Sequence, residues 1–184
     1  MRLVRPALDH LDSYVDALRR GYSPDNLRGE AAAQEDLAFI ACDAAGFLAS
    51  LDDREARGAP ITLPDGSRVV RLPGFHRWMW DGEFAGSIGI RWQPGTSALT
   101  ASCPGHIGYS VVPWKQRRGY AKSALATMLG EARAIGLAYV DITTEPENIA
   151  SRKVIEAHGG QLVERFLRPA SLSDDETLRY RVHL

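Results

Sequence analysis

Lysine is scarce in this chain: Lys115, Lys122 and Lys153 stand against nineteen arginines, and all three fall between residues 106 and 160. Cysteine is scarcer. Cys42 and Cys103 form neither a metal-ligand nor a redox spacing, which excludes a disulfide scaffold and a thiolate metal site. Cys42 lies in an Ala-rich helical stretch and reads as a small hydrophobe. Cys103 precedes Pro104 in a loop, where a reactive thiol is the alternative to an inert one. No excess of either sign exists, with Lys+Arg 22 against Asp+Glu 23, so bulk charge gives no case for nucleic acid or an anionic membrane as partner. No apolar run approaches membrane-spanning length, and the N-terminus has no long apolar targeting segment. A soluble cytoplasmic protein is expected. No repeat or low-complexity linker interrupts residues 1–184, so one domain is the simplest organisation.

What is present reads as alternating elements. Residues 2–5 form a short strand closed by Pro6, and Leu8, Leu11, Tyr14, Val15 and Leu18 place a helix over 8–20. Ser23-Pro24-Asp25-Asn26 marks a loop. A second helix runs from Glu30 to the polar stretch beginning at Asp52. Pro64-Asp65-Gly66-Ser67 marks a turn between strands at 61–63 and 68–72. Asp81-Gly82 joins a stronger hairpin of 75–80 and 84–92. Strand 106–112, helix 118–135, strand 137–143 and helix 148–158 make a βαβα unit, and strands 161–168 and 176–183 close the chain. This order implies an α/β fold with a mixed sheet.

The informative segment is Gln116-Arg117-Arg118-Gly119-Tyr120-Ala121, where a strand gives way to a helix. The unpaired N–H groups of a helix start can hold phosphate, Gly119 lets backbone approach a ligand, and Arg117 and Arg118 add charge. A plain solvated basic helix start is the alternative. The glycine spacing is not a dinucleotide fingerprint, and the Gly-Lys-Ser/Thr ending of a P-loop is absent.

That segment resembles the Gln/Arg-x-x-Gly-x-Gly/Ala motif of the GNAT family of N-acetyltransferases. Gly108-Tyr109-Ser110-Val111-Val112-Pro113 resembles the family's central strand, and Asn148-Ile149-Ala150-Ser151 followed by Gly159-Gly160 resembles its second cofactor motif. The resemblance implies a GNAT-like domain whose mixed twisted sheet is flanked by helices, with central parallel strands splayed around acetyl-CoA or another acyl-CoA. It assigns the diphosphate to main-chain N–H groups of Arg117, Arg118, Gly119, Tyr120, Ala121 and Lys122. The pantetheine arm falls to Val111 and Val112, with Asn148 and Ser151 beside it. Asn148 is equally well placed as a helix N-cap.

Acyl transfer to an amine needs a neutral nucleophile, a polarised carbonyl and a proton for the departing thiolate. Direct transfer in a ternary complex requires no metal and no protein nucleophile. Val111 or Val112 supplies an oxyanion-binding amide. Many family members carry a tyrosine seven residues after the motif's asparagine; Ile155 stands there, so that acid is not carried over. Tyr109 is the substitute candidate, Glu145 a candidate base acting through water, and His106 a third titratable candidate; core tyrosine, turn carboxylate and surface histidine are the respective alternatives. Asp141 interrupts an apolar strand with no basis for choosing its partner. Phe75, Trp78, Trp80 and Trp92 are candidates for an aromatic acceptor wall or for core, and residues 52–74 for a flap over the substrate. The expected acceptor is a small-molecule amine or a peptide, and a homodimer is left open. A noncatalytic acyl-CoA-binding module and a helix–sheet interaction protein are the competing readings.

Overall fold

The computed structural model describes residues 1–25, 28–62, 66–167 and 176–184. Asn26 of the expected loop, Pro64-Asp65 of the expected turn and residue 168 lie outside them. The elements run β1 (Arg2–Val4), α1 (Leu8–Arg19), α2 (Glu30–Ser50), β2 (Asp52–Asp53), β3 (Ile61–Thr62), β4 (Arg68–Val69), β5 (Gly74–Trp80), β6 (Phe84–Arg91) and β7 (Ile107–Val111). A 3₁₀ turn at Pro113–Lys115 leads to α3 (Tyr120–Ile135), β8 (Tyr139–Thr144), α4 (Ile149–Glu156), β9 (Gln161–Leu167) and β10 (Glu176–His183).

The expected mixed sheet is divided. One sheet has the order β1-β5-β6-β7, with β2 also on β5; a second has the order β8-β10-β9; β3 and β4 pair by themselves. Among the described residues every ladder is antiparallel. The two larger sheets face each other edge to edge at β7 and β8. Short loops pair sequential strands as hairpins, whereas β7 and β8 are separated by all of α3 and meet only as neighbours.

Helix α3 brings the halves together. Ala124, Leu125, Met128, Leu129 and Ala132 are buried, as their helical spacing requires, in a cluster with Ile107, Val140, Ile142 and Ile155. Full burial of Leu125 or Met128 contributes roughly 1.5–3 kcal/mol each. The helix stops at Gly136, whose φ of 93° lets Leu137 N–H reach back to the Ala132 carbonyl. Helices α1 and α2 cover the opposite face of the first sheet over Tyr14, Phe47, Trp78 and Phe84. Helix α2 breaks regular geometry at Asp43, whose carboxylate accepts the Gly46 N–H at 2.8 Å and restarts the helix.

Phe75 and Trp78 are core residues, each 1% exposed, and not part of an acceptor wall; Trp80 and Trp92 are half-buried beside that core. The flap expected within 52–74 is not over the cleft at its start, because β2 is tied to β5, two strands away from β7. Among the described residues no helix is long and apolar enough to cross a membrane.

Candidate active site

The junction between β7 and β8 is hydrogen-bonded at one end and carries no ladder beyond it. His106 N–H donates to the Asp141 carbonyl at 2.7 Å, and Asp141 N–H donates to His106 Nδ1 at 2.9 Å. Past this double tie no ladder joins the strands. The register on the other side of β7 fixes what faces the gap. Val112 N–H donates to Ala85 and Arg91 N–H to His106, so residues 106, 108, 110 and 112 point their peptide groups at β6. Alternation turns those of Tyr109 and Val111 the other way, into the opening. Val111 N–H is therefore turned away from β6. Val112 N–H is not: it is already bonded to Ala85, which corrects the expectation that either valine could supply an oxyanion-binding amide.

The chain leaves β7 through the 3₁₀ turn and reaches α3 by a turn with two left-handed residues, Arg117 at φ 62° and Gly119 at φ 79°. The conformation costs a non-glycine residue about 1–2 kcal/mol, so Arg117 does not adopt it unaided. Gly119 is the N-cap of α3, and no side chain caps it among the described residues. The first intrahelical bond is Ser123 N–H to the Gly119 carbonyl at 3.0 Å, which leaves the Tyr120, Ala121 and Lys122 N–H groups at the open helix end. Arg117, Arg118 and Lys122 are exposed around it. Successive amides at a left-handed turn, the helix dipole and three cations suit a diphosphate.

The turn is braced from a distance. Asp81 at the β5–β6 tip accepts from Lys115 Nζ at 2.5 Å through Oδ1 and from the Tyr120 hydroxyl at 2.6 Å through Oδ2. Glu83 Oε1 lies 2.8 Å from the same ammonium. Burial alone would pull the Lys115 ammonium down in pKa, but its bonds to Asp81 and Glu83 outweigh it and raise the value. Burial likewise disfavours ionised Asp81, and the bonds from Lys115 and Tyr120 reverse that and lower its pKa. The Tyr120 side chain is thus turned away from the helix end, where only its N–H remains. Thirty-four residues separate Asp81 from Lys115, and nothing local in the sequence marks the pair.

Across the gap stands α4. Asn148 is its N-cap: Oδ1 accepts the Ser151 N–H at 3.0 Å, and the side-chain amide keeps its own N–H donors. Tyr109 reaches over from β7, its hydroxyl 3.0 Å from Ser151 Oγ. Burial pushes the Tyr109 phenol up to about 12, against the opposing bond with Ser151, so it is protonated at neutral pH. Ile155 is fully buried behind them. Glu145 follows the end of β8 half-buried, and its carbonyl accepts the Asn148 N–H at 3.1 Å.

His106 is not at the open end. It is fully buried in the tie between the strands, and burial pulls its pKa down, opposed by Asp141. The surface-turn alternative fails equally. Asp141 is held by a bidentate contact from Arg181, at 2.8 and 2.9 Å, rather than by substrate or helix. Cys103 is buried, and burial raises its thiol pKa, which leaves it unsuited to nucleophilic work.

On the α1–α2 face of β7 lies a polar network that periodicity does not reveal. Tyr22 OH bonds Ser87 Oγ at 2.9 Å and Ser110 Oγ at 2.7 Å, while Tyr14 OH donates to Asp36 Oδ2 at 2.5 Å. The two rings meet edge-on, with centroids 6.2 Å apart. Burial raises the Asp36 pKa, and the Tyr14 bond opposes it. Among the described residues no group of three or more His, Cys, Asp or Glu is placed to hold a metal.

The family model described as the acetyltransferase (GNAT) domain matches residues 31–161, most of the chain and all of the cleft. The chain belongs to the GNAT acetyltransferase family. It is accordingly an acyl-CoA-dependent acyltransferase with acetyl-CoA as donor. Solved structures agree on the fold at low identity. A microcin self-immunity acetyltransferase in complex with acetyl-CoA and AMP is 14% identical, with a TM-score of 0.64 over 99% of this chain and 91% of that one. Mycobacterium smegmatis RimJ in complex with CoA-disulfide is 17% identical, with a TM-score of 0.65 over 98% and 80%. A Salmonella typhimurium acetyl transferase that modifies the N-terminal serine of a ribosomal protein is 14% identical, with a TM-score of 0.63 over 99% and 94%. No curated protein matches at the level of sequence.

Proposed function

We propose that this GNAT enzyme acetylates a primary amine of a small molecule or peptide by direct attack within a ternary complex. The observation that carries the reading is the unladdered β7–β8 gap leading to the uncapped start of α3. An extended arm with amide groups fits an opening that Val111 and Tyr109 line with peptide groups, and a diphosphate fits the amides and cations of residues 117–122.

Acetyl-CoA supplies the acetyl group as an activated thioester. The residues of the chain would orient it and manage charge. Val111 N–H would donate to the carbonyl oxygen as that oxygen gains charge. The amine nitrogen forms the new bond to the carbonyl carbon, the carbon–sulfur bond breaks, and the proton given up by the amine balances the thiolate. Tyr109 would face the sulfur. A phenol raised this far is a weaker acid than an ordinary thiol, so full proton transfer to the thiolate would run uphill. Tyr109 is therefore read as a hydrogen-bond donor that steadies the sulfur, with Ser151 as its partner and water completing the proton's route. Glu145 is the nearest carboxylate in sequence to this end of β8 and is assigned to the amine's proton through water. His106 is assigned no catalytic step.

The acceptor is proposed to enter on the α1–α2 face, where Tyr22 reaches Ser110 and Asp36 lies beside Tyr14. A peptide N-terminus is supported by the acceptor of the Salmonella protein, and Asp36, half-buried beside Tyr14, supplies a carboxylate on that face. Two free cysteines suit a reducing cytoplasm. The test is thiol release from acetyl-CoA with a panel of amines and short peptides, with the acetylated product identified by mass spectrometry. Saturable acetyl-CoA binding with turnover on no primary amine or peptide would refute the acceptor class proposed.

A further inference from the structure

The geometry points to Asp81 as the positioning residue of the diphosphate turn, a role that rests on the binding reading above. Lys115 and Tyr120 flank residues 116–119, the stretch that contains both left-handed residues. One carboxylate holds both flanks, Lys115 through Oδ1 at 2.5 Å and Tyr120 through Oδ2 at 2.6 Å. The turn is thereby closed at its two ends by a group on a different hairpin. Asp81 itself belongs to the β5–β6 hairpin, whose ladder extends to the Trp80–Phe84 pair at its tip.

The chemistry of the three side chains separates bracing from ligand contact. An anion beside a diphosphate would repel it, but Asp81 is matched by the Lys115 ammonium, which is 5% exposed and also held by Glu83 at 2.8 Å. Lys115 therefore faces two carboxylates instead of serving as an exposed phosphate cation. The Tyr120 hydroxyl is directed at Asp81, while its N–H stays with the open helix end. Arg117 in a left-handed conformation needs such external support, because nothing intrinsic to an arginine favours it. Binding of the diphosphate thus depends on a residue about 35 positions upstream that does not touch it.

The deciding experiment compares two acyl donors, acetyl-CoA and acetyl-pantetheine, which lacks the diphosphate. Asp81→Asn keeps the shape and removes the charge. We expect its Kd and KM for acetyl-CoA to rise tenfold or more, its kcat at saturation to change by less than twofold, and its KM for acetyl-pantetheine to stay within twofold of wild type. Tyr120→Phe frees only one end of the turn and leaves the N–H in place; a rise of intermediate size for acetyl-CoA alone is expected, and this variant decides the matter if Asp81→Asn does not fold. Equal effects on both donors, or no effect on acetyl-CoA, overturn the positioning role. Failure of the wild-type protein to bind acetyl-CoA would instead overturn the binding reading itself.

Discussion

Replacing Gly119 by alanine separates the fold from the cofactor site. In the protein alone, a Cβ at Gly119 meets nothing within 4 Å, so no clash opposes the substitution. What opposes it is φ of 79°, a conformation that costs an L-residue about 1–2 kcal/mol. A chain of this length should lose roughly 2–4 °C in Tm for each kcal/mol. The effect on binding should be larger. If the methyl group displaces one charge-assisted bond between an amide and the diphosphate, about 1.5–3 kcal/mol is lost. That corresponds to acetyl-CoA binding about 10- to 150-fold more weakly. Calorimetric titration gives the Kd and thermal unfolding the stability. Gly130→Ala on the same helix is the control: it has open space around its Cβ and no left-handed backbone, so both quantities should stay at wild-type values or improve slightly. A Gly119→Ala protein with the expected Tm loss but acetyl-CoA affinity within threefold of wild type would refute the placement of the diphosphate at α3.

Tyr109→Phe should lower kcat about 10- to 100-fold with little change in the KM for acetyl-CoA, since only the hydroxyl beside Ser151 is lost; steady-state kinetics with both substrates varied checks this. Asp36→Asn should raise the KM of cationic acceptors several-fold and leave acetyl-CoA affinity alone, and equal KM values for charged and neutral amines in wild type would argue against an electrostatic role. His106 has a depressed pKa when folded, so the unfolded chain binds its proton more readily. Its contribution to stability is complete above the ordinary histidine value near 6.5 and declines as pH falls below that toward the folded value. Urea unfolding at pH 7.5 and 5.5 should show that loss, and His106→Gln should show a shallower one.

The elements of this protein were legible because their signals are local. The stripe from Ala124 to Ala132 declares α3, and Asp81-Gly82 declares the β5–β6 hairpin; the helix expected from residue 118 begins at Tyr120, with the motif glycine as its left-handed N-cap. The family resemblance also implied central strands that part, and β7 and β8 share no ladder. Periodicity could not say where they part. That depends on His106 and Asp141 meeting across 35 residues, and it converts an apparent surface histidine into the buried tie at the base of the cleft. Nor could it choose between Val111 and Val112, since adjacent amides differ only in which way the β6 register turns them. The brace of Asp81 on Lys115 and Tyr120 and the network from Tyr22 to Ser110 are likewise contacts between distant segments. A sequence fixes the backbone's local preferences through sterics and hydrophobic spacing. Which side chains share a hydrogen bond is decided only when the packed sheets and helices bring them within about 3 Å.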